Sequence, residues 1–244
     1  MESRLARELK LRYTPVAVIY TDTKPGGALE PDSKGWSCVI AMVTAALKGS
    51  TVALSKKSIR CPGGKTGMGF GNSYRGREDF MAYFLSTGKP GQIDGEGYKK
   101  SPELARRMIE ASPAVDIPSN YAVLKPLDQV DMEKEKPALV IFYANADQLS
   151  ALTVLANYDR PTNDNVIINM GSGCGTVCLY PYNEGLKEKP RAVVGLTDIT
   201  ARPHIDADLL AFVTPYSMFL EMEANVTGSF LERKDWKKLR ERIK

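Results

Sequence analysis

Apolar runs and polar intervals alternate along this chain. Short apolar runs rich in β-branched residues predict seven strands, at 16–20, 51–54, 121–124, 138–143, 166–169, 192–196 and 209–213. Segments with apolar residues at helical spacing predict helices at 1–10, 38–48, 79–86, 101–111, 147–158, 217–226 and 235–243. Because strands alternate with helices, the pattern predicts an α/β fold, a mixed sheet with helices packed on it, in a single domain over 1–244.

Two intervals between these elements are rich in glycine. Residues 61–76 hold six glycines and are predicted to form a loop. Residues 174–179 follow a strand and a glycine turn, and are predicted to form a short helix or turn.

A strand–strand–helix pattern at 121–158 recurs at 191–226. The recurrence suggests an internal duplication of this unit. The alternative is that any α/β sequence yields such matches.

Composition narrows the class of protein. The 244 residues are 43% hydrophobic and 25% charged with a net charge of +4, as in ordinary globular proteins. There is no basic block interleaved with aromatics, so no nucleic-acid partner is expected. The N-terminus lacks a signal-peptide core, and the longest apolar runs are far below the ~20 residues of a membrane span. We therefore expect a cytoplasmic protein with no membrane partner.

The four cysteines are the clearest candidate chemistry. Cys38 follows Gly-Trp-Ser and opens a helical run, and Cys61 begins Cys-Pro-Gly-Gly. Cys174 and Cys178 lie in Gly-Ser-Gly-Cys-Gly-Thr-Val-Cys. In the cytoplasm such cysteines are more often thiols or metal ligands than disulfides. With a single histidine in the chain, a sulfur-only metal site is expected, either an iron–sulfur cluster or zinc.

The spacing favours the cluster. Structural zinc sites use Cys-x-x-Cys knuckles, which this chain lacks, whereas separated cysteines in glycine turns fit a cluster such as 4Fe-4S. The predicted metal ligands are Cys38, Cys61, Cys174 and Cys178. Cys178 stands between Val177 and Leu179, so its alternative role is that of a small buried hydrophobe. If only the other three bind, one iron is open to a small ligand.

Glycines beside these cysteines are expected to serve the cofactor. Gly63, Gly64 and Gly173 are predicted to bind the cofactor. At least one residue of each pair, Gly63 with Gly64 and Gly173 with Gly175, is expected either to have positive φ or to lie against the cofactor, where a Cβ would clash. Aromatic residues near the cysteines could wall a pocket or simply belong to the core: Trp36, Phe70, Tyr74, Tyr180 and Tyr182. Basic residues around Cys61 could hold an anionic substrate or be solvated: Arg60, Lys65 and Arg75.

Two other functions stay open. One is a zinc-bound or metal-free binding protein, and the other is a thiol enzyme with Cys61 or Cys174 as nucleophile. His204, the only histidine, is a third catalytic candidate as a proton donor, or else part of a surface turn. The expected partners are a small molecule or a redox protein. Trp236 and Leu239, on an amphipathic C-terminal helix, are candidates for contact with a second copy of the chain.

Four segments carry a resemblance to a known family. Pro15 to Val18, the helix led by Cys38, Cys61 to Gly64, and Ala201 to Pro203 occur in this order. In these segments the chain resembles the archaeal and bacterial family called domain of unknown function 169, over nearly its whole length. The resemblance implies that the cysteines belong together, and it implies no particular activity.

Overall fold

A computed structural model of the protein describes residues 1–32 and 38–243. Its centre is one seven-stranded sheet of order β2-β3-β1-β4-β7-β6-β5. The strands are β1 (Val16–Thr21), β2 (Val52–Ser55), β3 (Tyr121–Pro126), β4 (Leu139–Ala144), β5 (Val166–Ile168), β6 (Ala192–Gly195) and β7 (Leu210–Pro215). Among the paired strands described, β5 and β6 run parallel and the other neighbours antiparallel. The predicted α/β fold with a mixed sheet is confirmed.

Helices cover the sheet. They are α1 (Arg4–Glu8), α2 (Val39–Leu47), α3 (Pro62–Gly67), α4 (Glu78–Phe84), α5 (Pro102–Ala111), α6 (Ala146–Ala156), α7 (Tyr180–Gly185), α8 (Tyr216–Ala224) and α9 (Lys234–Arg240). A π-helical segment, Gly175–Leu179, runs directly into α7. Within the described ranges, no helix combines the length and the apolar character that crossing a bilayer requires.

Helix starts follow local capping chemistry. Ser101 accepts a hydrogen bond from the Leu104 amide and is followed by Pro102 in the first turn of α5. Asn145 and Gln148 form a reciprocal capping box at the start of α6. These signals are legible in the sequence, which is why the predicted helix boundaries lie within a few residues of the observed ones.

The two faces of the sheet bury two separate cores. On one face Phe142 packs against Phe212 and Phe219, beneath α6 and α8. On the other face Tyr143 belongs to a core that also contains Cys178, Cys174 and residues of α2. The alternation of side chains along β4 therefore separates a purely structural core from the core beneath the cysteines.

The prediction of a loop over 61–76 is wrong at its beginning, because Pro62–Gly67 is helical. Proline is tolerated at the first position of a helix, where its missing N–H would have no partner. The glycines of α3 have helical rather than positive φ, and tertiary packing outweighs their low helix propensity. Helix α7 was not predicted; Pro181 lies in its first turn, where proline is tolerated.

The internal duplication stays a prediction. β4 and β7 pair antiparallel at the centre of the sheet, and each is followed by a helix. The preceding strands differ, however, because β6 pairs directly with β7 whereas β1 lies between β3 and β4.

Candidate functional site

The start of α3 is built around Cys61. Cys61 caps the helix in an extended conformation, and its Sγ accepts a hydrogen bond from the Gly64 amide over 3.4 Å. Pro62 occupies the first turn. The sulfur of this half-buried cysteine therefore lies at the helix N-terminus, where amide groups favour negative charge.

Cys174 approaches the same helix from the other side. It precedes the π-helical segment and is 8% exposed. Its Sγ donates to the carbonyl oxygen of Gly63 over 3.3 Å and lies 3.5 Å from Ser172 Oγ. Gly63 is thus bracketed by Cys61 in the chain and by Cys174 in space, so two of the predicted ligands meet at one turn of backbone.

Close packing of glycine makes this meeting possible. A Cβ on Gly67 would lie 2.7 Å from the Sγ of Cys174, and one on Gly64 would lie 2.9 Å from Ile59. A Cβ on Gly173 would lie 2.7 Å from that of Ala201. Distances this short require the neighbour to move.

None of the three glycines singled out in the sequence, Gly63, Gly64 and Gly173, has positive φ. The part of that prediction that expected positive φ is therefore wrong. What the structure gives these glycines is close packing against protein atoms, while contact with a cofactor stays a prediction.

Cys38 is the third thiol of the group. It caps α2 and is half-buried. Burial raises the pKa of Cys174 to about 12; the hydrogen bond with Ser172 opposes this, and the charges of Cys61 and Cys38 add smaller raising effects. Burial likewise raises the pKa of Cys61, with a further contribution from Cys38. The three thiols, hereafter the thiol group, are thus electrostatic neighbours.

Cys178 lies four residues after Cys174, in the core rather than at the start of α3. It is fully buried, and burial followed by the charge of Cys174 raises its pKa. Its other electrostatic neighbours are the hydroxyls of Tyr20 and Tyr143 in the core. Its surroundings suit the alternative role, a small buried hydrophobe, and its ligand role stays a prediction.

Among residues 1–32 and 38–243, no three His, Cys, Asp or Glu side chains are arranged to hold a single metal ion. Zinc requires its sulfurs about 2.3 Å from one point. A cluster instead distributes its cysteine ligands over separate irons, so its sulfurs lie farther apart. Whether the thiol group holds zinc or a cluster stays a prediction.

A cleft opens beside the thiol group. It encloses about 760 Å³, counting the part open to solvent, and Gly67 and Ser172, which adjoin Cys174, belong to its wall. The rest of its lining comes from α3 and the loop after it, the connector between α4 and α5, α5 and its end, the loop and π-helical segment around Cys174, the start of α7 and the segment after β6. Its side chains include Tyr74, Tyr98, Tyr180, Glu96, Asp198, Met108 and Met170.

Asp198 joins the cleft to the cysteine loop. One carboxylate oxygen accepts from the Gly173 amide over 2.8 Å. The other accepts from the Tyr98 hydroxyl over 2.8 Å and from both the amide and the hydroxyl of Thr200, over 3.0 and 2.8 Å. Sequence reasoning missed Asp198. The available signal was its place just beyond the end of a buried strand, where ligand-binding residues are often found.

The backbone just before Asp198 is strained. Leu196 is fully buried with φ of 62°, a conformation that a branched side chain rarely adopts. Its amide donates to Thr176 Oγ1, which in turn donates to the Gly173 carbonyl. Strain of this kind persists only where the surroundings enforce it, and it recurs at functional sites.

A family profile confirms the family resemblance found in the sequence. The profile of DUF169, described as uncharacterised ArCR, matches residues 4–225. The chain belongs to the DUF169 family. No curated protein and no solved structure matches it significantly.

Within this DUF169 chain, the histidine candidate lies elsewhere. His204 is in a 3₁₀ turn against α2, where its carbonyl accepts from Thr44, and it is not among the residues lining the cleft. The nearby Asp206 and Asp208 pair with Arg12 at the surface.

Only some of the aromatic and basic candidates of the DUF169 chain line the cleft. Tyr74 and Tyr180 line the cleft, whereas Arg60, Lys65 and Arg75 are not among its lining residues. Phe70 is buried in the core and Tyr182 packs edge-on against Tyr20, while Trp36 and the residues beside it lie outside the described ranges.

Proposed function

We propose that this protein is a cytoplasmic iron–sulfur protein whose cluster, of the 4Fe-4S type, is held by Cys38, Cys61 and Cys174. The cluster serves redox chemistry with a protein partner or binds a small molecule at an iron that has no cysteine ligand. The observation that carries the proposal is that Cys61 and Cys174, from separate elements, meet at Gly63 at the start of α3, while Val39, the residue after Cys38, packs against Gly64 of the same helix.

The electrostatics of the thiol group support this proposal over a nucleophile. A catalytic cysteine needs a lowered pKa, and it is usually found beside a cation or an activating base. Burial raises the pKa of both Cys61 and Cys174, and His204 is not among the residues around the cleft. Buried thiols become stable thiolates when they bind metal, because the metal supplies the missing positive charge.

The cleft supports the assignment of an open iron. Three cysteines would leave one corner of a four-iron cluster without a protein sulfur. Gly67 and Ser172 adjoin the sulfur of Cys174 and also line the cleft, so a small molecule in the cleft lies near the proposed ligands. When bound, the cluster would supply electron transfer or Lewis acidity, and the chain would position the molecule and limit its access to water.

Anaerobic purification tests this proposal. We expect a broad visible absorbance, iron and acid-labile sulfide in the wild-type protein. Cys61→Ala and Cys38→Ala should lose most of the iron. Cys178→Ala is the matched control, since it removes a thiol from the same protein outside the thiol group, and it should keep the iron.

Three results would reject the assignment. Zinc without iron would indicate the zinc-bound alternative. Absence of metal after anaerobic purification and reconstitution would leave a metal-free binding protein. Complete loss of iron in Cys178→Ala, with an unchanged thermal midpoint, would make Cys178 a full ligand.

A further inference from the structure

Glu96 has an unusual place in the cleft. Its half-buried carboxylate lines the cleft and makes no hydrogen bond or ion pair with any residue in the described ranges. Burial, and then the charge of Asp198, raise its pKa. A carboxylate that is partly desolvated and lacks a counter-ion is costly unless a ligand provides one.

Asp198 adds a fixed negative charge to the same cleft. Its donors, the Gly173 amide, the Tyr98 hydroxyl and Thr200, hold the carboxylate in one orientation. No lysine, arginine or histidine is among the described residues that line the cleft. The protein therefore presents two acids there without a basic partner.

The other walls are aromatic and apolar. Tyr74, Tyr98 and Tyr180 contribute ring surfaces, and Met108 and Met170 contribute flexible thioethers. The faces of tyrosine rings attract cations, and methionine adapts to ligands of varied shape. An anionic ligand would find no cationic side chain among the described residues of this lining.

We infer that the cleft binds a small organic cation, a protonated primary amine on an apolar body, with the ammonium group between Glu96 and Asp198 and the apolar body against the tyrosines and methionines. This inference deepens the proposed function by naming the class of small molecule, since the cleft adjoins Cys174. The space in the cleft that the centre of a water-sized sphere can occupy is about 90 Å³, so the expected ligand is a small one.

The test compares three probes of similar shape and different charge: benzylamine, benzyl alcohol and benzoate. Dissociation constants are measured by ligand-observed NMR on the full chain. We expect benzylamine to bind about tenfold more tightly than benzyl alcohol, which corresponds to ~1.4 kcal/mol, and benzoate to bind most weakly. Benzylamine affinity should fall as the pH is lowered through the raised pKa of Glu96, because the amine stays protonated while the carboxylate is neutralised.

Glu96→Gln keeps the shape of the side chain and removes its charge. It should reduce benzylamine binding to nearly the level of benzyl alcohol. Glu110→Gln is the control, because Glu110 is an exposed carboxylate on α5 that is not among the cleft residues. Thermal midpoints of both variants show whether the fold is intact.

Equal affinity for the three probes, no binding of benzylamine, or retention of the preference in a folded Glu96→Gln protein would overturn the inference. The measurement is made on protein with and without iron, so that the two proposals fail separately. A benzylamine preference in protein that never binds iron refutes the cluster alone. Iron without such a preference refutes the amine site alone.

Discussion

Gly67→Ala tests whether α3 and the π-helical segment are held in rigid contact at the thiol group. The new Cβ would lie 2.7 Å from the Sγ of Cys174, 2.8 Å from the Gly175 amide nitrogen and 2.9 Å from the Cys174 carbonyl carbon. Two of these three atoms belong to the backbone. A side-chain rotation therefore cannot relieve the contacts, and the two segments must separate.

Two opposing effects decide the sign of the change. Alanine is favoured over glycine within a helix by at most ~1 kcal/mol. Overpacking a tight interior costs about 1–3 kcal/mol, and contact with backbone belongs in the upper part of that range. We expect Gly67→Ala to lower the free energy of unfolding by about 1–2 kcal/mol. For a chain of this length that corresponds to a fall of roughly 2–8 °C in the thermal midpoint.

Thermal and denaturant unfolding measure this effect. Gly26→Ala provides the control, because its Cβ would meet nothing within 4 Å and its φ is not positive. That substitution should be neutral within about 0.5 kcal/mol or slightly stabilising. If Gly67→Ala were as stable as Gly26→Ala, the close approach at Cys174 would be readily deformable, and the packing argument for the thiol group would be refuted.

Two further predictions concern ionisation. Because burial raises the pKa of Cys61 and Cys174, iodoacetamide should alkylate both thiols slowly at neutral pH in iron-free protein, and faster as the pH rises. Mass spectrometry measures the alkylation. A thiol more reactive than glutathione would favour the thiol enzyme. Burial raises the pKa of Glu184, but the pairing with Arg191 and Lys187 outweighs burial, so the net effect is a lowered pKa. The stabilisation of the fold by these ion pairs is therefore present above pH 4.5, the ordinary pKa value, and is lost as the pH falls below it. Denaturant unfolding should therefore show that Glu184→Gln loses more stability near pH 7 than at pH 3, and parallel pH curves for the two proteins would contradict this.

The sequence was informative where one physical signal dominated. Apolar runs such as 138–143 become central strands because few other structures bury them, and capping residues such as Ser101 and Asn145 mark helix starts. The structure of the glycine-rich segments was predicted less well. In α3 the glycines permit close helix contact instead of forming a loop, and a single sequence does not distinguish these two uses of glycine.

The cleft shows why parts of a site escape sequence reasoning. Tyr74 and Tyr180 were singled out because they lie near cysteines in the chain, and both line the cleft. Tyr98, Glu96 and Asp198 lie in polar connectors without periodicity or motif. They reach the cleft only because the α4–α5 pair and the end of β6 meet there, and that meeting depends on the tertiary structure.

The thiol group and the acidic cleft share one short stretch of backbone. The Gly173 amide donates to Asp198, and the next residue is Cys174, whose Sγ donates to Gly63. A cation between Glu96 and Asp198 would partly neutralise the carboxylate that accepts from this amide. Since thiolates or a thiolate-bound cluster are themselves negative, a bound amine would stabilise them, and their charge would favour the amine in return. Positive charge would thus stabilise both sets of side chains. The metal would supply it to the cysteines on one side of Gly173, and the bound amine would supply it to the carboxylates on the other.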